Sequence, residues 1–230
     1  DKTGAVNSIV DDKRPLPLKI LLYALPIVAT GVLQLLFNAA DVVVVGRYSG
    51  DSALAAVGST GALINLVVNL LNGLSVGAAV AVAQTYGAKD YKSLSDVVHT
   101  AICVSVIGGI LFGLVGFFGA KTFLVWMGSP ADVIDQATLY LKIYFLGVPV
   151  MMLYNYGASI LRSVGDTRRP LIFLAVSGVI NVFLNLFFVI CLKMSVDGVA
   201  YATVISQAVA AVLVTLFMMR TDGPCRLVIS

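Results

Sequence analysis

Six stretches of this chain, 19–46, 53–86, 97–127, 133–161, 170–192 and 199–219, run apolar for twenty residues or more and carry at most two charged side chains each. Runs of that kind decide the fold before anything else. A hydrocarbon layer about 30 Å thick needs about 20 helical residues per crossing, and it accepts only backbones whose polar groups are paired within the segment. The expectation is an all-α integral membrane protein, a six-helix transmembrane bundle. With 59% hydrophobic and 12% charged residues, the chain lies far from the roughly 45–50% and 25% of soluble domains. Residues 1–18 read as a polar N-terminal segment, 19–219 as one transmembrane lobe and 220–230 as the start of a polar loop. The first run is too long for a signal peptide and no small-residue cleavage site follows it.

Orientation follows from lysine and arginine. Eleven lie on one side of the six crossings (Lys2, Lys13, Arg14, Lys19, Lys89, Lys92, Arg162, Arg168, Arg169, Arg220, Arg226) and four on the other (Arg47, Lys121, Lys142, Lys193). Basic residues gather on cytoplasmic loops, so both termini are expected in the cytoplasm. The same rule accounts for the net charge of +3 without a nucleic-acid partner. The sequence begins without methionine and ends in TDGPCRLVIS, which reads as an interhelical loop. Half of a longer protein is therefore expected.

Catalytic chemistry has little to stand on. All twelve acids are aspartates, His99 is the one histidine, and Cys103, Cys191 and Cys225 are isolated. No HExxH, GxSxG or Walker loop occurs. An enzyme is the weaker class, and no cofactor is expected.

The polar residues inside the apolar runs fall at helical spacing. Thr30, Gln34, Asn38 and Asp41 share one face of the first helix. Asn65, Asn69 and Asn72 do so in the second, Asn155, Ser159 and Arg162 in the fourth, Ser177, Asn181 and Asn185 in the fifth, Thr203 and Gln207 in the sixth. Much of this is the ordinary glue of membrane helices, and glycines such as Gly73, Gly77, Gly108, Gly109, Gly113 and Gly116 read as close-approach points. Tyr140, Tyr144 and Tyr154 read more readily as interfacial anchors than as ligand contacts.

Asp41 differs in kind. An ionised carboxylate at a helix centre costs about 2.5–3.5 kcal/mol even on the lenient insertion scale, so it needs a cation or a proton. Four valines follow it at 42–45, which argues that the helix has not yet left the membrane. With the outer end near Arg47, Asp41 lies roughly 9 Å below it at 1.5 Å per residue. Pro26 removes one backbone hydrogen bond from the same helix, and a hinge is expected there.

The runs FNAADVVVVGRYSGDSALAAVG, VAVAQTYGAKD, ILRSVGDTRRP, NVFLN and DGVAYATVISQ, in this order and at these distances, resemble the N-terminal half of multidrug and toxic compound extrusion (MATE) transporters. The resemblance covers nearly all of residues 14 to 222. It implies one six-helix lobe of a twelve-helix transporter with a central cavity, exporting organic cations across a bacterial cell membrane in exchange for H⁺ or Na⁺. It also implies a second lobe, from the same protein or a second copy. The family's cation site falls on Asp41, Asn181, Asn185 and Thr203, with Na⁺ as one candidate ion there; the family has a second acid where this chain has Asn185. Gln34, Asn38, Asn155 and Gln207 are expected to line the cavity, and the family's proposed hinge falls on Pro26.

Two rival readings stand beside it. A lipid-linked oligosaccharide flippase of the wider superfamily would need several basic residues facing its cavity, and the expected inner faces carry almost none. A non-transporting membrane assembly subunit fits the short chain. A membrane-embedded enzyme lacks a catalytic set.

Overall fold

The computed structural model describes residues 15–221 and 225–227. Of the expected polar ends, residues 1–14, 222–224 and 228–230 lie outside the described residues.

The described residues form seven α-helices and one π-helical turn: α1 Leu16–Tyr48, α2 Asp51–Gly87, α3 Tyr91–Trp126, α4 Ile134–Leu146, α5 Val148–Ser163, α6 Arg168–Leu186 continued by the turn Phe187–Cys191, and α7 Val196–Arg220. No strand occurs among the described residues. Five of these segments are long and apolar enough to cross a membrane, and α4 with α5 makes a sixth span bent by 47°.

That bend corrects the reading of 133–161 as one straight helix. Pro149 has no N–H to give the Phe145 carbonyl, so the helical ladder fails there. Gly147 occupies the joint, and a Cβ on it would meet Val204 Cγ2 of α7 at 2.7 Å. The break lets α7 come close where a regular helix would hold it off.

A second irregularity follows α6. The stretch expected to run helical to residue 192 widens at Phe187, where the Leu192 N–H reaches back to the Phe187 carbonyl at 3.2 Å. Such π turns often accompany functional positions. Asn185 sits two residues before this one.

The core gathers where α3, α4, α5 and α7 meet, around Leu94, Leu124, Leu141, Met152 and Ile160, all but inaccessible. The glycines of α3 make this possible. A Cβ on Gly109 would lie 2.6 Å from the Pro149 Cα, and one on Gly113 2.9 Å from the Phe145 carbonyl oxygen. Close backbone approach is what holds helices together in lipid, where the hydrophobic effect gives little. Gly73 and Gly77 of α2, expected to act likewise, face open space instead.

α1 lies on the rim. Only 11% of its most apolar window is buried, against 33% for α7. It runs as one helix through Pro26, and the Thr30 hydroxyl donates to the Pro26 carbonyl at 2.8 Å.

Candidate functional site

α1, α2, α4, α5, α6 and α7 enclose a cavity of about 260 Å³. α1 contributes Gly31, Gln34, Leu35, Phe37, Asn38 and Asp41; α2 contributes Asn65 and Asn72 among apolar neighbours. Tyr140 and Tyr144 come from α4, Met151, Tyr154 and Asn155 from α5. Leu174, Ser177, Gly178 and Asn181 of α6 and Thr203, Ser206 and Gln207 of α7 close it. The polar stripes of five different helices thus converge on one space. Among the described residues, Asp41 is the one charged residue in its lining.

The carboxylate has a specific partner. The Asn185 side-chain amide donates to Asp41 Oδ1 across 144 residues of chain. The same amide donates to Asn181 Oδ1 at 3.2 Å. Asn185 is fully buried, just behind the cavity wall, and its carbonyl oxygen finds no protein partner. Asn181 and Asn185 stand four apart on α6, so one helix face presents both amides to α1.

Thr203 lines the cavity, but its hydroxyl donates to the Val199 carbonyl of its own helix at 3.0 Å. That bond uses the proton and leaves the oxygen lone pairs for another group. Asn185 thus joins the Asp41 carboxylate to Asn181, and Thr203 lines the same cavity; these side chains offer oxygens of the kind a hard univalent cation takes, and the carboxylate can also take a proton.

The site lies in the half of the bundle where α1 and α6 end and α7 begins, which is the outer half on the positive-inside orientation. At the opposite end several side chains make specific contacts. The Tyr23 hydroxyl donates to the Arg162 carbonyl at 2.8 Å, and the Tyr154 hydroxyl to the Pro170 carbonyl at 2.9 Å. Arg169 pairs with Asp166 at 2.7 Å and lies over the Phe217 ring, 4.3 Å from its centre.

Of the residues singled out in the sequence, Gln34, Asn38, Asp41, Asn155, Asn181, Thr203 and Gln207 line this cavity, and Asn185 is bonded to Asp41 behind it. Pro26 is outside the lining, more than two turns away from Gln34 along α1. Ser159 is a packing residue, donating to the Ser75 hydroxyl at 3.0 Å. The tyrosines read as interfacial anchors belong to the cavity: Tyr140, Tyr144 and Tyr154 are buried and turn towards it. Their spacing of four between Tyr140 and Tyr144 was the available signal. Phe37 and Gly178 gave none, because a contact between distant helices leaves no trace in either.

A sequence model of the MatE family matches residues 26–187. The chain belongs to that family. A probable multidrug resistance protein of Bacillus subtilis, YoeA, is 33% identical over 207 residues, covering 88% of this chain and 45% of YoeA. YpnP of the same organism, also called a probable multidrug resistance protein, is 29% identical over 192 residues, 84% of this chain and 43% of YpnP. Among solved structures, a MATE protein in its bent conformation superposes with a TM-score of 0.88 at 26% identity, covering 99% of this chain and 50% of that one. The chain spans about half the length of the MatE relatives it matches.

Proposed function

We propose that this chain is one lobe of a secondary antiporter that exports organic cations across a bacterial cell membrane in exchange for a univalent cation, H⁺ or Na⁺. The observation that carries the reading is the single carboxylate of Asp41, set in a cavity otherwise lined by uncharged side chains, amides, hydroxyls and aromatic rings among aliphatic ones. A negative charge so placed is too costly to leave uncompensated, and either the coupling ion or a cationic substrate can neutralise it. Both cannot do so fully at once. Competition for one charge is the simplest physical basis for exchange.

Asp41 is the binding charge; Asn185 orients it, and Asn181 orients Asn185. Na⁺ as cargo would take oxygens from Asp41, Asn181, Asn185 and Thr203. A proton would need Asp41 alone. Gln34, Asn38, Asn155 and Gln207 supply hydrogen bonds to substrate, and Tyr140 and Tyr144 offer aromatic faces to a cation. Binding moves the transporter between its outward and inward states only insofar as the ion favours one of them. The second lobe completes the path, contributed by the same polypeptide or by a second copy, with lipid around both.

The lining also supports this reading over the flippase. A pyrophosphate needs basic partners, and no lysine or arginine lines the cavity among the described residues. Efflux of a fluorescent organic cation from cells or proteoliposomes carrying the full-length protein tests the reading. Asp41→Asn should abolish efflux or its dependence on the ion gradient; unchanged efflux with unchanged ion dependence would overturn it.

A further inference from the structure

Phe37 of α1 seats its ring directly on Gly178 of α6. A methyl group built on Gly178 would overlap the far edge of that ring. Gly178 is buried, and both residues border the cavity. Asp41 lies one turn beyond Phe37 on α1, and Asn181 and Asn185 follow Gly178 by three and seven residues on one face of α6. On the alternation of crossings the two helices run in the same direction. The seat and the polar pair therefore lie along one seam, the seat nearer the cytoplasm.

We propose that Phe37 and Gly178 are positioning residues, a knob and notch that set the register of α1 on α6 so that the Asp41 carboxylate meets the Asn185 amide. The inference rests on the reading of Asp41 as the ion-binding charge. α1 needs such a device because it sits on the rim, largely free of the core. Its hydrogen bonds from Tyr23 to the Arg162 carbonyl and from Asn185 to Asp41 lie 18 residues apart. At 1.5 Å per residue that is about 27 Å of helix, and a slip of one turn, about 5.4 Å, would take Asp41 past its partner. The ring in the glycine notch blocks that slip. Without the ring α1 can slide or tilt; without the notch the ring must leave the seam.

Gly116 supplies the control. Its Cβ would overlap the Phe145 ring in the same manner, but at the α3–α4 contact, with neither residue in the cavity lining.

The experiment is transport by the full-length protein in proteoliposomes, with the half-saturating concentration of the coupling ion read separately from the maximal rate. Phe37→Ala and Gly178→Ala should each move that concentration by about tenfold or more, the scale of losing one hydrogen bond to a charge. The double variant, where two methyl groups refill the space, should move it back towards wild type. Gly116→Ala should lower the amount of folded protein and leave the ion concentration of the surviving protein unchanged. Unshifted ion dependence in both single variants, with Asp41→Asn still inactive, would overturn the register lock and leave the proposed site standing. An additive double variant would also contradict it. If Asp41→Asn is itself without effect, it is the proposed site that fails.

Discussion

Asn185 of α6 gives its side-chain N–H to the Asp41 carboxylate of α1, and the same amide holds Asn181 one turn below. A neutral amide beside Asp41 brings no second ionisable group, whereas a second carboxylate there would repel the first. The site therefore holds one acid where the MATE pattern read from the sequence holds two.

Replacing Asn185 separates its two roles. Asn185→Ala removes a hydrogen bond to a charge, about 1.5–3 kcal/mol, and should move the half-saturating concentration of the coupling ion by about tenfold or more. Asn185→Asp adds a second acid, and two close carboxylates cannot both ionise readily. Transport by the aspartate variant should gain a steeper dependence on pH or on Na⁺ than wild type shows. Initial rates over a series of external pH and Na⁺ values measure both effects.

The glycines of α2 and α3 differ in what faces them. Gly109→Ala drives a methyl group against the Pro149 Cα, and overpacking of this kind costs about 1–3 kcal/mol. Gly73→Ala on α2 meets nothing and should stay within about 0.5 kcal/mol of wild type. Thermal unfolding in detergent, followed side by side, should show a lowered midpoint for the first and an unmoved one for the second.

α3 starts at a cap. Asp90 accepts from the Ser93 backbone N–H at 3.1 Å and from its hydroxyl at 2.6 Å, and these bonds hold its carboxyl below the ordinary carboxylate range. A depressed acid lends stability at pH values above its ordinary pKa and loses it as pH falls through the lowered one. Amide protection at residues 91–94, taken relative to the intrinsic exchange rate at each pH, should fall in Asp90→Ala at neutral pH, and in wild type only under acid conditions. Equal exchange in the two proteins at neutral pH would count against the cap.

Cys225 gives a chemical handle. Burial pushes its thiol up to about 12, which leaves little thiolate at pH 8. A water-soluble maleimide at pH 8 should label Cys225 slowly in the folded protein and rapidly after denaturation in SDS. Rapid labelling in the folded state would contradict the burial of Cys225.

The legible part of the fold was the part set by one dimension. Hydrophobic run length placed the six crossings, because the bilayer imposes it on each segment separately. The bend at Gly147 was readable in principle from Pro149, yet the run 133–161 is apolar on both sides of it and hydropathy passes over the break. In the site, helical periodicity put Gln34, Asn38 and Asp41 on one face and Asn181 and Asn185 on another. Spacing could not say that the two faces touch. Tyr140 and Tyr144 line the cavity, and sequence does not reveal it, because a tyrosine near a helix end satisfies the interfacial rule equally well whether it turns to headgroups or inward. Phe37 on Gly178 was invisible, since both are ordinary residues of an apolar helix until packed together.

Asp41 as the shared binding charge has a direct test in a weakly buffered detergent solution of the full-length protein. Titration with an organic cation should release up to one H⁺ or one Na⁺ per cation bound, read by a pH indicator and a Na⁺ electrode. Asp41→Asn should release neither. Substrate binding with the same ion release in Asp41→Asn as in wild type would contradict the exchange at this carboxylate.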